Sequence, residues 1–367
     1  MQTDDVHELT TVISTLKNGI GERGLVKRAL PLLSAFLEAH SSLPPCALRQ
    51  GAIPAIVAVM QQYDDDVELL VFAYGALTPI LQQCSALAGD ATSAEDGGKG
   101  IVADAADAAI GGDSSSVMDS PSIVVRCGGL EAVTGGMRKF SACEALQEKG
   151  CKCLGLLARG SGMNRVSPDY KAGKKVESNV MLRGQARRLI ARHGGVPLLL
   201  EAMRRYSANP DLQAAACMAV GQLGSSEMKV KKKAAEGGVI GLVLRALAQH
   251  PQHMEAQLFA CTALRQLASN AQTNKDLIGK QGGIDRLCGV GRSFLRAQCA
   301  QVTVEAIGAL CHLASKHPEN KQRIFDAEVL ELVFEALPVE REPGAEMAMA
   351  CLGLLHNMSC DDAIKRH

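Results

Sequence analysis

The sequence has no tryptophan, and aromatic residues make up only 3% of its 367 residues. Its apolar content is alanine, leucine, valine, isoleucine and methionine, which are good or tolerable helix formers, so helices are favoured over sheets. The formal net charge is zero, so no overall field draws the chain to nucleic acid or to an anionic membrane. No apolar run approaches the ~18 residues that span a bilayer, and we predict neither a specific nucleic-acid partner nor a membrane span.

Thirteen cysteines are present, an odd number for a disulfide framework. Several lie inside alanine-rich helical patterns, where a small buried residue is favoured: Cys217, Cys261, Cys311 and Cys351. The first ten residues, MQTDDVHELT, lack the basic and apolar segments of a signal peptide. Reduced core thiols and the missing signal predict a cytoplasmic location, with the nucleus, the cytoskeleton or a cilium as alternatives.

Two adjacent glycines followed by an aliphatic residue occur four times, as CGGL from Cys127, HGGV from His193, EGGV from Glu236 and QGGI from Gln281. The last three pairs end at Gly195, Gly238 and Gly283, which are 43 and 45 residues apart. A further 45 residues on, Ala327 and Glu328 replace the glycines, but the apolar helix pattern of DAEVLELVFEAL is kept. A helical period of about 40–47 residues indicates an armadillo or HEAT array.

Each unit is predicted to contain three helices. A short first helix leads to the glycine pair, where residues without side chains allow a sharp bend, and a second helix follows. The third helix is longer, as in NPDLQAAACMAVGQLGSS, HMEAQLFACTALRQLASN, AQVTVEAIGALCHLASKH and GAEMAMACLGLLHNMSC. In the first of these, Asn209 is the predicted N-cap and Pro210 occupies the first turn.

The glycine pairs and the endings AVGQLGSS, ALRQLASN, ALCHLASK and LLHNMSCD resemble the armadillo-repeat family, known from beta-catenin and importin-alpha. The resemblance implies an all-α fold, a right-handed superhelical armadillo-repeat solenoid whose third helices line a concave face. HEAT repeats are the alternative, but they have two helices per unit and no Gly-Gly-aliphatic bend.

The predicted organisation places two insertions at junctions between repeats, where a solenoid tolerates them. It comprises N-terminal capping helices and a partial repeat at 1–47, a repeat at 48–86, an acidic low-complexity insertion at 87–121, a repeat at 122–159, a basic insertion at 160–185, four repeats at 186–360 and the start of a further repeat at 361–367. The acidic insertion is either a solvated loop or a docking segment. The basic cluster KVKKK, from Lys229, is either a solvated helix face or a localisation peptide.

In importin-alpha-like members, a ladder of asparagines on the third helices binds the backbone of an extended peptide, and tryptophans four positions earlier form slots for its side chains. The ladder positions of the last four repeats are Gln222, Gln266, His312 and Asn357, and the tryptophan positions are Met218, Thr262, Gly308 and Gly353. Only Asn357 matches the family residue. The predicted partner-binding groove is Gln222, Gln266, His312, Asn357, Met218 and Thr262. Gly308 and Gly353 are expected to leave room for a bulky partner group.

No catalytic residue, cofactor site or metal site is predicted. The segment GGKG near Lys99 lacks the spacing of a phosphate-binding loop, and Cys311, His312 and His317 have no second ligand pair at a usual spacing. The predicted function is a non-catalytic scaffold or adaptor that binds a partner peptide or helix along the groove. The alternative is a structural subunit of a large assembly, such as a ciliary or cytoskeletal complex, which would expose apolar surface when isolated.

Overall fold

The computed structural model describes residues 3–86, 120–159, 185–225, 228–337 and 344–360, and these residues form helices and turns without a strand. They divide into two compact units, one of residues 1–133 with 159–186 and one of residues 134–158 with 187–367. Almost all of the two predicted insertions, and the predicted further repeat at 361–367, lie outside the described residues.

The first unit contains α1 (Thr3–Asn18), α2 (Arg23–Ala39), α3 (Pro44–Arg49), α4 (Ala52–Gln62), α5 (Val67–Ala86), α6 (Ser120–Arg126) and the start of α7 (Gly129–Lys139). Helix α2 packs against α1 and α5, and α4 packs against α5 and α6. Helix α3 begins at Pro44 and α6 at Ser120, so each begins before the predicted start of its repeat, at 48 and 122 respectively. Proline in the first turn favours both helix starts, because an N–H group in the first turn would have no acceptor within the helix and its absence costs nothing.

Asp66 caps the N-terminus of α5. Its Oδ1 accepts a hydrogen bond from Leu69 N at 3.3 Å, and its Oδ2 lies 2.9 Å from the Arg23 guanidinium and 3.3 Å from Lys27 Nζ. Burial raises the pKa of Asp66, but these hydrogen bonds and the two cations outweigh burial and hold the pKa below its usual value of 3.8. The ionised carboxylate therefore joins α2 to the first turn of α5.

The second unit contains the rest of α7, then α8 (Glu144–Arg159), α9 (185–192), α10 (Gly195–Arg205), α11 (Pro210–Gly224), α12 (Met228–Glu236), α13 (Val239–Gln249), α14 (Met254–Ala268), α15 (Gln272–Lys280), α16 (Gly283–Arg296), α17 (Ala300–Ala314), α18 (Pro318–Asp326), α19 (Val329–Ala336) and α20 (Ala345–Ser359). The third helices α11, α14, α17 and α20 pack side by side in chain order. As predicted, Asn209 caps α11, where its side chain accepts a hydrogen bond from Leu212 N at 2.8 Å.

Each second helix follows a residue in the left-handed conformation. In the last glycine-containing units these residues are Gly194, Gly238 and Gly282, with φ of 79°, 84° and 74°, and they are 44 residues apart. The second glycines of the three pairs, Gly195, Gly238 and Gly283, are 43 and 45 residues apart because the left-handed glycine is not the same member of every pair. In HGGV and QGGI the first glycine is left-handed, whereas in EGGV the second glycine is.

The other glycine of the pair is required by close packing. A Cβ on Gly283 would lie 2.5 Å from Ile278 Cγ2 and 2.8 Å from Ile278 O, closer than van der Waals contact allows. Gly195 meets Ile190 at the same two distances. Gly282, by contrast, has no atom within 4 Å of its Cβ position, so its role lies in its positive φ alone. Glu328 keeps the bend in the last unit without glycine, at φ 55°.

A buried glutamine joins the second helix to the third in three units. Gln213 Nε2 donates to Met203 O at 3.1 Å and to Tyr206 O at 3.0 Å. Gln147 and Gln257 make the same pair of bonds to the carbonyls that end the second helices before α8 and α14. We call this arrangement the glutamine clamp. It adds a second donor to carbonyl groups at the end of the second helix: Tyr206 O also accepts from Asn209 N, and Met203 O also accepts from the Arg245 guanidinium.

Candidate functional site

The ladder positions lie near the C-terminal ends of α11, α14, α17 and α20. All four side chains are half-buried, and because their helices are neighbours they form a row on one side of the second unit. We call Gln222, Gln266, His312 and Asn357 the ladder row.

The four side chains differ in how far they are already engaged. Asn357 Nδ2 donates to Cys311 O at 3.0 Å and lies 3.2 Å from Cys311 Sγ, so this amide holds α20 on α17. Gln222 Oε1 is 3.5 Å from the Arg187 guanidinium. Within the part of the chain that the structure describes, the side chains of Gln266 and His312 have no hydrogen-bond partner. The middle of the ladder row is therefore its open part.

Met218, predicted to line the groove, is a packing residue. Its side chain is only 8% exposed, and Met218 Cε lies 2.6 Å from the position that a Cβ on Gly155 would take. Gly155 on α8 thus provides the space that Met218 on α11 fills. The prediction is wrong here because α11 is buried around nearly its whole circumference, with Gln222 as the exception in its last turns.

Thr262, also predicted to line the groove, is half-buried, and its hydroxyl is part of a polar cluster with neighbouring side chains. Its Oγ1 lies 2.9 Å from Glu305 Oε2 and 2.9 Å from Leu258 O, while the Arg265 guanidinium donates to Glu305 Oε1 at 3.0 Å. A Cβ on Gly308 would lie 3.3 Å from Arg265 Cδ. The room expected at Gly308 is therefore taken by the Arg265 side chain.

The contact at the next tryptophan position is looser. A Cβ on Gly353 would lie 3.4 Å from Cys311 Sγ, which is ordinary van der Waals contact. These glycines let neighbouring third helices and their side chains approach each other. The room for a bulky partner group expected at Gly353 stays a prediction, because one ordinary contact does not fill it.

Positive charge surrounds His312. Burial lowers the pKa of His312, and the cations Arg265, Lys275 and Lys231 lower it further because they repel an imidazolium. Lys231 Nζ donates to Ser269 O at 2.6 Å, and Lys275 Nζ donates to Ser315 O; these carbonyls are the C-caps of α14 and α17. Burial also lowers the pKa of both lysines.

No protein-family model matches the sequence, and a search of curated proteins finds no relative. Among solved structures, an engineered protein superposes with a TM-score of 0.59 at 19% identity, over 84% of this chain and 96% of that one. A structure from work on a phosphorylation switch that controls the interaction between cadherin and beta-catenin gives a TM-score of 0.64 at 17% identity, over 97% of this chain and 54% of that one. A designed armadillo repeat protein in complex with the peptide (KR)4 gives 0.53 at 15% identity, over 83% and 99%. This chain has the armadillo-repeat fold.

Several histidines and cysteines, residue types that bind metals or act as nucleophiles in other proteins, have structural roles in this armadillo fold. His253 Nδ1 and His317 Nδ1 accept the backbone N–H groups of Ala256 and Asn320, so both histidines cap the third or first helix of a repeat. Burial raises the pKa of Cys217 to about 12, so this thiol is not a nucleophile near neutral pH. Among the described residues, no group of three potential metal ligands comes together. None of the described helices combines the length and apolarity needed to cross a bilayer.

Sequence reasoning missed one set of residues on this armadillo surface. Arg187, Lys231 and Lys275 occupy equivalent positions of α9, α12 and α15, each 44 residues from the next. KVKKK does lie on a helix, and Lys232 and Lys233 are exposed, but Lys231 is buried with 6% exposure. Alignment of the repeats on their left-handed residues, at the same spacing of 44, is the signal that reveals this set.

Proposed function

We propose that the protein is a non-catalytic scaffold that binds an extended segment of a protein partner across the ladder row. The observation that carries the proposal is the row itself, in which half-buried polar side chains stand at the same position on four adjoining helices. The open amide of Gln266 offers a donor and an acceptor to a peptide backbone. The armadillo neighbour that was solved with a peptide supports this use of the fold.

Hydrogen bonds from the row supply only part of the affinity. A net contribution of ~1 kcal/mol per bond gives a few kcal/mol for the row. Association costs at least ~4 kcal/mol in lost translational and rotational freedom. Asn357 adds less than Gln266 because its amide N–H groups already face Cys311 O and Cys311 Sγ. Apolar or charged contacts of the partner's side chains must therefore supply most of the affinity, and the row fixes register.

The test is affinity capture from native extract, followed by titration of the purified partner. A Gln222→Ala/Gln266→Ala variant should lose the partner while its melting temperature stays unchanged. Asn357 is left intact because it holds α20 on α17. The matched control is Gln249→Ala/Gln252→Ala, two exposed glutamines at the end of α13 and in the turn after it. Equal binding by both variants would contradict the proposal. We also propose an intracellular location, supported by the free cysteines among the described residues.

A second candidate, the subunit of a large assembly, is favoured by apolar side chains on the last repeat. Phe334 and Met349 are 67% exposed and Leu352 is 60% exposed. Ile307, the residue of α17 equivalent to Leu352, is fully buried in the stack of third helices. Sedimentation of the isolated protein tests this role. Self-association that Leu352→Lys abolishes supports it, whereas a monodisperse monomer argues for the adaptor.

A further inference from the structure

We propose that the partner segment is acidic and that one of its carboxylates binds between Gln266 and His312, on the neighbouring helices α14 and α17. This inference rests on the proposed function and specifies the chemistry of its partner. The two side chains are equivalent positions of adjacent repeats, and both are open to a ligand among the described residues. The Gln266 amide and a His312 ring N–H can each donate one hydrogen bond to a carboxylate.

The cations around this position are held in place. Lys231 and Lys275 each reach from a first helix to the C-terminal carbonyl of the third helix in the same repeat. Each ammonium makes one hydrogen bond within the described part of the chain, so it retains further N–H donors. Both lysines are about 95% buried, at 6% and 5% exposure, and water screens buried charges less than exposed ones. Their field reaches the His312 ring, where both cations disfavour the imidazolium and favour an anion.

Acidic side chains are almost absent from the exposed stripe of the third helices. Beyond their first turns, α11, α14, α17 and α20 contain a single carboxylate, Glu305. Its two oxygens already face Arg265 and Thr262 at 3.0 and 2.9 Å. Glu305 balances Arg265, and among the described residues no carboxylate forms an ion pair with Lys231 or Lys275.

The charge imbalance extends along the row. Residues 187–275 contain twelve lysines and arginines but only five acidic residues, although the whole chain is neutral. Arg187 continues the line of cations beside Gln222, where its guanidinium also donates to Ala158 O at 2.8 Å. An acidic segment fits this row, whereas a basic peptide such as (KR)4 meets charge of its own sign.

The first experiment uses the whole protein and three labelled peptides in fluorescence anisotropy. Third helices pack about 8–10 Å apart and an extended chain advances about 3.3 Å per residue, so roughly ten residues cross four helices. The probes are therefore (Glu-Ala)6, its uncharged match (Gln-Ala)6, and (KR)4. We expect (Glu-Ala)6 to bind at least tenfold more tightly than either. Equal binding of (Glu-Ala)6 and (Gln-Ala)6 would overturn the inference without any variant.

Variants then separate this position from general attraction to a basic surface. Lys231→Gln/Lys275→Gln should weaken (Glu-Ala)6 binding about tenfold, and Gln266→Ala about fivefold. The charge-matched control is Lys232→Gln/Lys233→Gln, which removes two exposed cations from the same cluster. If the control weakens binding as much as the first pair, the attraction is nonspecific and the inference fails. Gln266→Ala keeps the test valid should the loss of two buried lysines lower the melting temperature.

The captured partner distinguishes this inference from the proposed function. A partner lost by Gln222→Ala/Gln266→Ala but unaffected by Lys231→Gln/Lys275→Gln and by added salt would leave the scaffold function standing and refute the acidic segment. A partner retained by the glutamine variant would refute the scaffold function itself.

Discussion

The bends give the sharpest test of the structure, because one helix offers two glycines with opposite expected responses. Gly282 precedes α16 with φ 74° and Gly289 lies within α16 on an exposed face, and neither has an atom within 4 Å of its Cβ position. Steric contact is thus absent from both Gly282→Ala and Gly289→Ala. Only backbone conformation distinguishes the two substitutions.

The expected magnitudes follow from the backbone alone. A left-handed alanine costs about 1–2 kcal/mol, partly offset by the smaller entropy of the unfolded alanine chain, so Gly282→Ala should destabilise by about 1 kcal/mol. Gly289→Ala should stabilise by about 0.5–1 kcal/mol because alanine is the better helix former. Glu328→Gly, which relieves φ 55° in the last bend, should stabilise by about 0.5 kcal/mol.

Thermal unfolding followed by circular dichroism measures these differences, and hydrogen exchange of the amides in α15 and α16 reports the local effect. About 2–4 °C is expected per kcal/mol for a unit of this size. A stabilising Gly282→Ala, or the same sign for Gly282→Ala and Gly289→Ala, would refute the assignment of the left-handed residues.

Three further predictions concern single side chains. Gln213→Leu removes two hydrogen bonds, although Met203 O keeps the Arg245 guanidinium and Tyr206 O keeps Asn209 N as donors, and should cost about 1–3 kcal/mol in urea unfolding; a cost below 0.5 kcal/mol would contradict the clamp. Asp66→Asn should lower the free energy of unfolding at pH 7, because only the ionised carboxylate stabilises the fold. This difference from the wild type should disappear as the pH falls through the lowered folded pKa of Asp66, below 3.8. A difference that does not change with pH would contradict this. The pKa of His312 is lowered below 6.5, so the unfolded chain takes up the proton first and stability falls below pH 6.5; His312→Gln should reduce that loss, and an unchanged pH profile would count against it.

The armadillo fold was predictable because it depends on periodic signals. Glycine pairs about one repeat apart, small residues at helical spacing and the Asn209–Pro210 start of α11 each have a local physical reason, and the structure shows them. Which glycine of a pair is left-handed was not predictable, because either one can adopt a positive φ. Which one does so depends on close packing by Leu200 Cδ1, 2.7 Å from the Cβ position of Gly237.

The positions of the ladder row were predictable from the sequence, but the burial and the contacts of the side chains beside it were not. Spacing placed Met218 four residues before Gln222, yet only the packing of α11 against α8 shows that Gly155 accommodates its side chain. Similarly, KVKKK contains four similar lysines, and the carbonyl of Ser269, which lies 38 residues away in the chain, explains why Lys231 is buried while Lys232 and Lys233 are exposed. Contacts of this range leave no trace in a local pattern.

The glutamine clamp has a consequence for how the sequence of such a protein can evolve. Its acceptors are main-chain carbonyls, such as those of Met203 and Tyr206, which every amino acid provides. In each of the three units that have the clamp, one glutamine therefore secures the joint while imposing no identity on the residues it bonds. Substitutions that alter recognition on the ladder row leave this joint intact, so lineages and designers alike can duplicate a unit or exchange its outer side chains independently of the joint between its helices.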